Sequence, residues 1–94
     1  MPTQIQITAI RLSGGTTHEH IERLWWTTAS GGGDNSRAEI VAWIENNIAQ
    51  AYVLDAGNRR ADVGVVVPAR GEKYLRTHAD GIWTDNLLAL PRRQ

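Results

Sequence analysis

Lys73-Tyr74-Leu75-Arg76-Thr77-His78-Ala79-Asp80-Gly81-Ile82-Trp83-Thr84-Asp85-Asn86-Leu87-Leu88-Ala89-Leu90-Pro91 decides the fold. Lys73 to Thr77 has the pattern of a short strand. Asp80-Gly81 is a turn in which glycine takes the positive-φ position. Asp85-Asn86 offers an N-cap or Asx-turn ahead of the apolar run Leu87-Leu88-Ala89-Leu90, and Pro91 stops that element. Every feature of the stretch has a structural job. None specifies a reaction.

The same signals continue upstream. Ala51 to Asp55 reads as a strand, Ala56-Gly57-Asn58 as a tight turn, and Ala61 to Val67 as the antiparallel partner, closed by Pro68. Ala69 to Glu72 turns the chain into the Lys73–Thr77 strand. Before these lies a helix. Ser36-Arg37-Ala38-Glu39 spells a capping box, and Ile40, Val41, Ile44 and Ile48 form an apolar stripe at the helical period. Asn46-Asn47 marks its end. A lone amphipathic helix must bury its stripe, and a sheet is the only available partner.

Ala29-Ser30-Gly31-Gly32-Gly33-Asp34-Asn35 reads as a flexible loop, because consecutive glycines carry a large backbone entropy. No Lys-Ser or Lys-Thr follows, so it is no P-loop. At the N-terminus, Ile5 to Ala9 alternates as a half-buried strand does. The pattern then slips by one at Ile10 and Leu12, which predicts a bulge near Ala9-Ile10 or burial on both faces. Ser13 to Thr16 is a turn. His18 to Trp26 carries both signals: Ile21, Leu24 and Trp25 at helical spacing with a Thr16/Glu19 capping box, against a Trp-Trp-Thr-Thr ending that favours strand. Strand is the expectation. The chain is thus expected to be one α+β domain over residues 1–94. The predicted architecture is an antiparallel β meander of about five strands, one α-helix packed on one face and a short C-terminal apolar turn.

The chain has 94 residues, no cysteine, and ten basic side chains against ten acidic ones. Disulfides and thiolate metal sites are excluded, and a small domain without them fits a reducing compartment. The first residues have no basic and apolar leader pattern, and no apolar run approaches the ~20 residues of a spanning helix. A soluble, cytoplasmic chain with no membrane contact is the expectation. Zero net charge argues against a nucleic-acid binder driven by phosphate neutralisation. Of the basic doublets Arg59-Arg60 and Arg92-Arg93, the second is expected to be a frayed tail.

Ile7-Thr8-Ala9-Ile10-Arg11, His20-Ile21 with Leu24, Tyr74-Leu75-Arg76-Thr77, Asp80-Gly81 and Asp85 to Pro91 together resemble the bacterial family catalogued as domain of unknown function 3892. The resemblance runs over nearly the whole chain. It departs from shorter members in the Trp-rich second strand and the triple-glycine loop. It implies the strand–strand–helix–strand order above and no activity, cofactor or partner.

Candidate sites follow from side-chain chemistry. Four Trp and two Tyr with no Phe is an odd balance, and Trp suits half-buried or binding positions because its indole N–H seeks a partner. Trp and Arg are also the residues that dominate interface hot spots. The leading reading is a non-enzymatic binding domain that contacts protein, itself or another, through Trp25, Trp26, Trp83 and Arg76; Trp43 belongs either to that surface or to the core. Arg76 has a structural alternative, an ion pair with Asp80 or Asp85 that closes the C-terminal turn. No catalytic residue is assigned and no cofactor is expected. Ser13, Ser30 and Ser36 lack a nucleophile's context. Two alternatives remain. One is a metal- or small-ligand-dependent enzyme built on His18, His20, His78 and Asp80, if those residues converge. The other is single-stranded nucleic-acid binding, with Trp stacking and Arg59, Arg60 and Arg70 on the backbone.

Overall fold

A computed structural model describes residues 3–54, 57–79 and 81–93. It has seven strands, β1 (Thr3–Leu12), β2 (Ile21–Thr28), β3 (Gly31–Ser36), β4 (Ala49–Leu54), β5 (Arg60–Val66), β6 (Tyr74–Ala79) and β7 (Ile82–Thr84), with one α-helix, α1 (Arg37–Glu45). All seven strands form one sheet in the order β3-β2-β1-β4-β5-β6-β7. The α+β class holds. The count of about five strands and the purely antiparallel meander do not, because β4 joins β1 in parallel. A parallel join needs a crossover, and α1 belongs to the connection that returns the chain from β3 to β1's free side.

The two additional strands have physical origins. Gly31-Gly32-Gly33, expected as a flexible loop, is the start of edge strand β3, with Gly33 opposite Trp26 and Gly32 opposite Thr27. A Cβ on Gly33 would stand 3.1 Å from Trp26 Cζ2, and one on Gly32 2.6 Å from the Trp26 carbonyl oxygen. Glycine is therefore what lets the indole lie against this strand, an aromatic filling the space a side chain would take. At the other end, β6 turns through Gly81, at φ +78°, into the three-residue β7. Asp80 of the expected turn lies outside the described residues, as do Asp55 and Ala56 of the earlier strand and turn.

The slip in β1 is a bulge. Ile7 pairs with Trp26 and Ala9 with Trp25, leaving Thr8 over, and both Ala9 and Ile10 are buried. β4 pairs with β1 only from Thr3 to Gln6. Further along, the C-terminal segment takes that side: Ile10 N donates to Pro91 O at 3.0 Å and Arg93 N to Ile10 O at 2.9 Å. Arg92-Arg93 is thus a tied segment and no frayed tail, because it takes the side of β1 that β4 leaves open beyond Gln6. His18–His20 forms a short 3₁₀ helix, and β2 begins at Ile21. Its cap is Thr17 with His20, Nδ1 lying 2.8 Å from Thr17 Oγ1, in place of the expected Thr16 and Glu19.

The capping box of α1 is present. Glu39 N donates to Ser36 Oγ at 3.3 Å and Ser36 N to Glu39 Oε1 at 3.2 Å. The Glu39 carboxylate accepts from Ser36 N, Ser36 Oγ and Asn35 Nδ2, and these bonds hold it below its ordinary range. The helix ends by a Schellman arrangement: Ile48 N donates to Trp43 O, Asn47 N to Ile44 O, and Asn47 adopts the left-handed conformation at φ +57°. Ile48 therefore lies beyond the helix and is 57% exposed, not part of the stripe. The stripe proper, Ile40 and Val41 with Ile44 beside them, packs with Ile7, Leu24, Val53, Leu75 and Leu87 into one core between helix and sheet. Each such side chain contributes about 1.5–3 kcal/mol on full burial.

Candidate functional site

Strand register sorts the remaining side chains onto two faces. Val53, Ala61, Val63 and Leu75 turn toward α1 and are buried. Their neighbours turn the other way. Through the pairs Gln4–Gln50, Tyr52–Asp62, Asp62–His78 and His78–Trp83, one row runs across β1, β4, β5, β6 and β7 on the helix-free face. Arg60, two residues before Asp62, shares it. The Arg60 guanidinium lies over the Tyr52 ring at 4.4 Å, donates to Asp62 Oδ1 at 2.8 Å and reaches Gln4 Oε1 at 2.7 Å. His78 and Trp83 meet edge to face at 5.4 Å. Both rings lie over Gly64, where a Cβ would come within 3.1 Å of His78 and 3.3 Å of Trp83.

Two cavities open beside this row, of about 320 Å³ and 680 Å³. Arg60, Asp62 and His78 line both, so they sit where the cavities meet. Trp83 is 46% exposed, and its indole N–H finds no hydrogen-bond partner among the described residues. The row can offer an indole edge, an imidazole, amides and a stacked, ion-paired guanidinium to an approaching molecule.

The C-terminal stretch is locked from β6. Arg76 Nε donates to Thr84 O at 3.2 Å and Nη2 to Asp85 Oδ1 at 3.1 Å. Thr77, fully buried, places its hydroxyl 2.7 Å from Thr84 Oγ1 and accepts from Leu87 N at 3.3 Å. Leu87 is thereby seated in the core, and turns closed by Ala89 N to Asp85 O lead to Pro91. His18 is buried against this lock with Nε2 3.9 Å from Asp85 Oδ1, too far for a hydrogen bond. Burial, then the nearby Arg76 charge, lower its pKa, with Asp85 opposing. His18 is consequently neutral at pH 7.

The sequence candidates are therefore distributed. Trp25 and Trp26 are successive residues of β2 and point to opposite faces. Trp26 packs against the core, meets Trp43 edge to face at 6.1 Å and donates its N–H to Asn35 Oδ1 at 2.9 Å. Trp25, on the helix-free face, lies under the Arg93 guanidinium at 5.6 Å. Arg76 is engaged at Thr84 and Asp85, and only Trp83 joins the row. Of the metal alternative, His18 stands at the lock, His20 at Thr17 and His78 against Trp83, and Asp80 lies outside the described residues. Among the described residues no three His, Asp or Glu groups converge on a metal position. Arg59 and Arg60 both line the larger cavity, whereas Arg70 does not.

Tyr52, Asp62 and Gly64 escaped the sequence reading. A signal for Gly64 existed: an isolated glycine among valines marks a close approach in a strand. No helix of the described residues is long and apolar enough to cross a membrane. No curated protein and no solved structure matches the chain. A family model does match, over residues 6–91, and the chain belongs to the family it describes, Protein of unknown function (DUF3892).

Proposed function

We propose that this chain is a non-enzymatic binding domain that recognises a protein partner through the helix-free face at its β5–β7 end, with Trp83 as the anchor. The observation that carries this reading is the exposed Trp83 indole, braced by His78 over Gly64 and flanked by the Tyr52–Arg60 stack. Trp, Tyr and Arg are enriched at interface centres, and Lys and Glu, both missing from this row, are depleted there. A stacked and paired guanidinium is pre-organised, so less entropy is lost when a partner arrives. The absence of cysteine fits a reducing, cytoplasmic setting.

Charge usage supports protein over nucleic acid. Arg11, Arg23, Arg37, Arg60 and Arg76 are each paired with a carboxylate, at Glu22, Asp34, Glu72, Asp62 and Asp85. Such pairs leave little positive field for a phosphate backbone. Against an enzymatic reading, the Asp62 carboxylate is taken by Arg60, the His78 ring opposite it packs edge to face on Trp83, and His18 lines neither cavity.

The test is affinity capture with wild-type protein, Trp83→Ala and Trp25→Ala, followed by titration of the purified partner. A partner bound by wild type and Trp25→Ala, and at least tenfold weaker on Trp83→Ala at a temperature where all three are fully folded, supports the reading. Equal binding to all three sinks it. Steeply salt-dependent binding to an oligonucleotide would select nucleic acid.

A further inference from the structure

The sheet is not continuously zipped between β4 and β5. Their ladder runs from Leu54–Arg60 to Tyr52–Asp62 and stops there. Both strands go on: β4 stays paired with β1 back to Ala49, and β5 stays paired with β6 out to Val66. Between Ala49–Ala51 on one side and Val63–Val66 on the other, a notch therefore opens in the middle of the sheet. The cavity of about 320 Å³ lies at its inner end, next to the last paired residues, with Gln50 and Ala51 on one wall, Val63 and Gly64 on the other, and Arg60, Asp62 and His78 shared with the row described above.

We propose that this notch is a docking slot for an extended peptide segment of a partner, which adds as a strand along the free edge of β5. The unpaired main chain of β5 selects that occupant. A strand edge presents alternating main-chain N–H and C=O groups, and another extended main chain is what matches their spacing. On the β4 side of Val63–Val66 no strand pairs with these residues among those described. Four residues of edge span roughly 13 Å at strand rise, enough for a short peptide. An independent feature marks the mouth. Ile48 directly precedes β4 and Val67 directly follows β5, at 57% and 69% exposure, so an aliphatic residue flanks each side of the open end. The peptide expected is one with aliphatic side chains at alternate positions. The slot adds a second contact to the binding reading above and does not depend on Trp83.

A display library of random seven-residue peptides provides the probe, selected on wild type, on Gln50→Trp, which fills the notch from an exposed position, and on Trp83→Ala. Enrichment of alternating aliphatic sequences on wild type and Trp83→Ala, lost at least tenfold on Gln50→Trp of unchanged melting temperature, is the expected result. Amide hydrogen exchange with a selected peptide should then slow within Val63–Val66. Peptides that survive Gln50→Trp, or that protect β3 or β7, overturn the proposal. So does a library that yields no enrichment, or a Gln50-dependent dimer, which would assign the notch to a second copy of the chain.

Discussion

At each end of the sheet an indole lies against a strand glycine, and the two ends differ in what lies over the indole. At β2–β3, Trp26 covers Gly33, donates to Asn35 and is closed in by Trp43 from the helix. At β5–β7, Trp83 covers Gly64 with His78 beside it, but no helix follows and the indole N–H has no protein partner among the described residues. The same local device thus completes the core at one end and leaves a prepared contact at the other. What separates the two is satisfaction of the polar edge, not the amount of aromatic surface.

That difference can be broken by mutation. The largest effect is expected at the closed end. Trp26→Ala should cost about 2–4 kcal/mol in urea unfolding, somewhat below the range for a fully buried Trp. Gly33→Val should cost about 1–3 kcal/mol, since the new side chain meets the Trp26 ring. Thr77→Val, which leaves Thr84 and Leu87 N without their shared partner, should cost about 1–3 kcal/mol and loosen the C-terminal lock. Trp83→Ala should cost about 1 kcal/mol, because the half-exposed indole gives up only its packing on Gly64 and His78.

The smallest expected effect is a pH dependence. His18 has a folded pKa below its ordinary value, so the unfolded chain takes up its proton first as pH falls. Its contribution is complete above pH 6.5, declines below it, and levels off once His18 titrates in the fold. Comparing melting temperatures at pH 7.5 and 5.5 in wild type and His18→Gln isolates it: the wild type should lose more.

How much of this was legible from sequence depended on whether the determinant was local. The Ser36–Glu39 cap, the helix stripe through Ile44, the β1 slip and the glycine turn after β6 are set by neighbours within a few residues, and the structure carries all four. Gly31–Gly33 reads as a loop because glycine's entropy is a local property, while the Trp26 ring that fixes it lies on another strand. The parallel β1–β4 join and the tie of Arg93 to Ile10 depend on which edges remain open after folding, and no spacing encodes that. The candidate site was legible only at Trp83. Tyr52, Asp62 and His78 become neighbours of it through register across β4, β5 and β6.

Hydrogen exchange of the four indole N–H groups, followed by NMR on the free protein, tests the contrast between the two ends most directly. Trp26 should exchange slowly, close to the rate set by global unfolding, and Trp83 at nearly the rate of a free indole. Equal protection at both, or a slow Trp83 beside a fast Trp26, would contradict the assignment of one end to the core and the other to recognition.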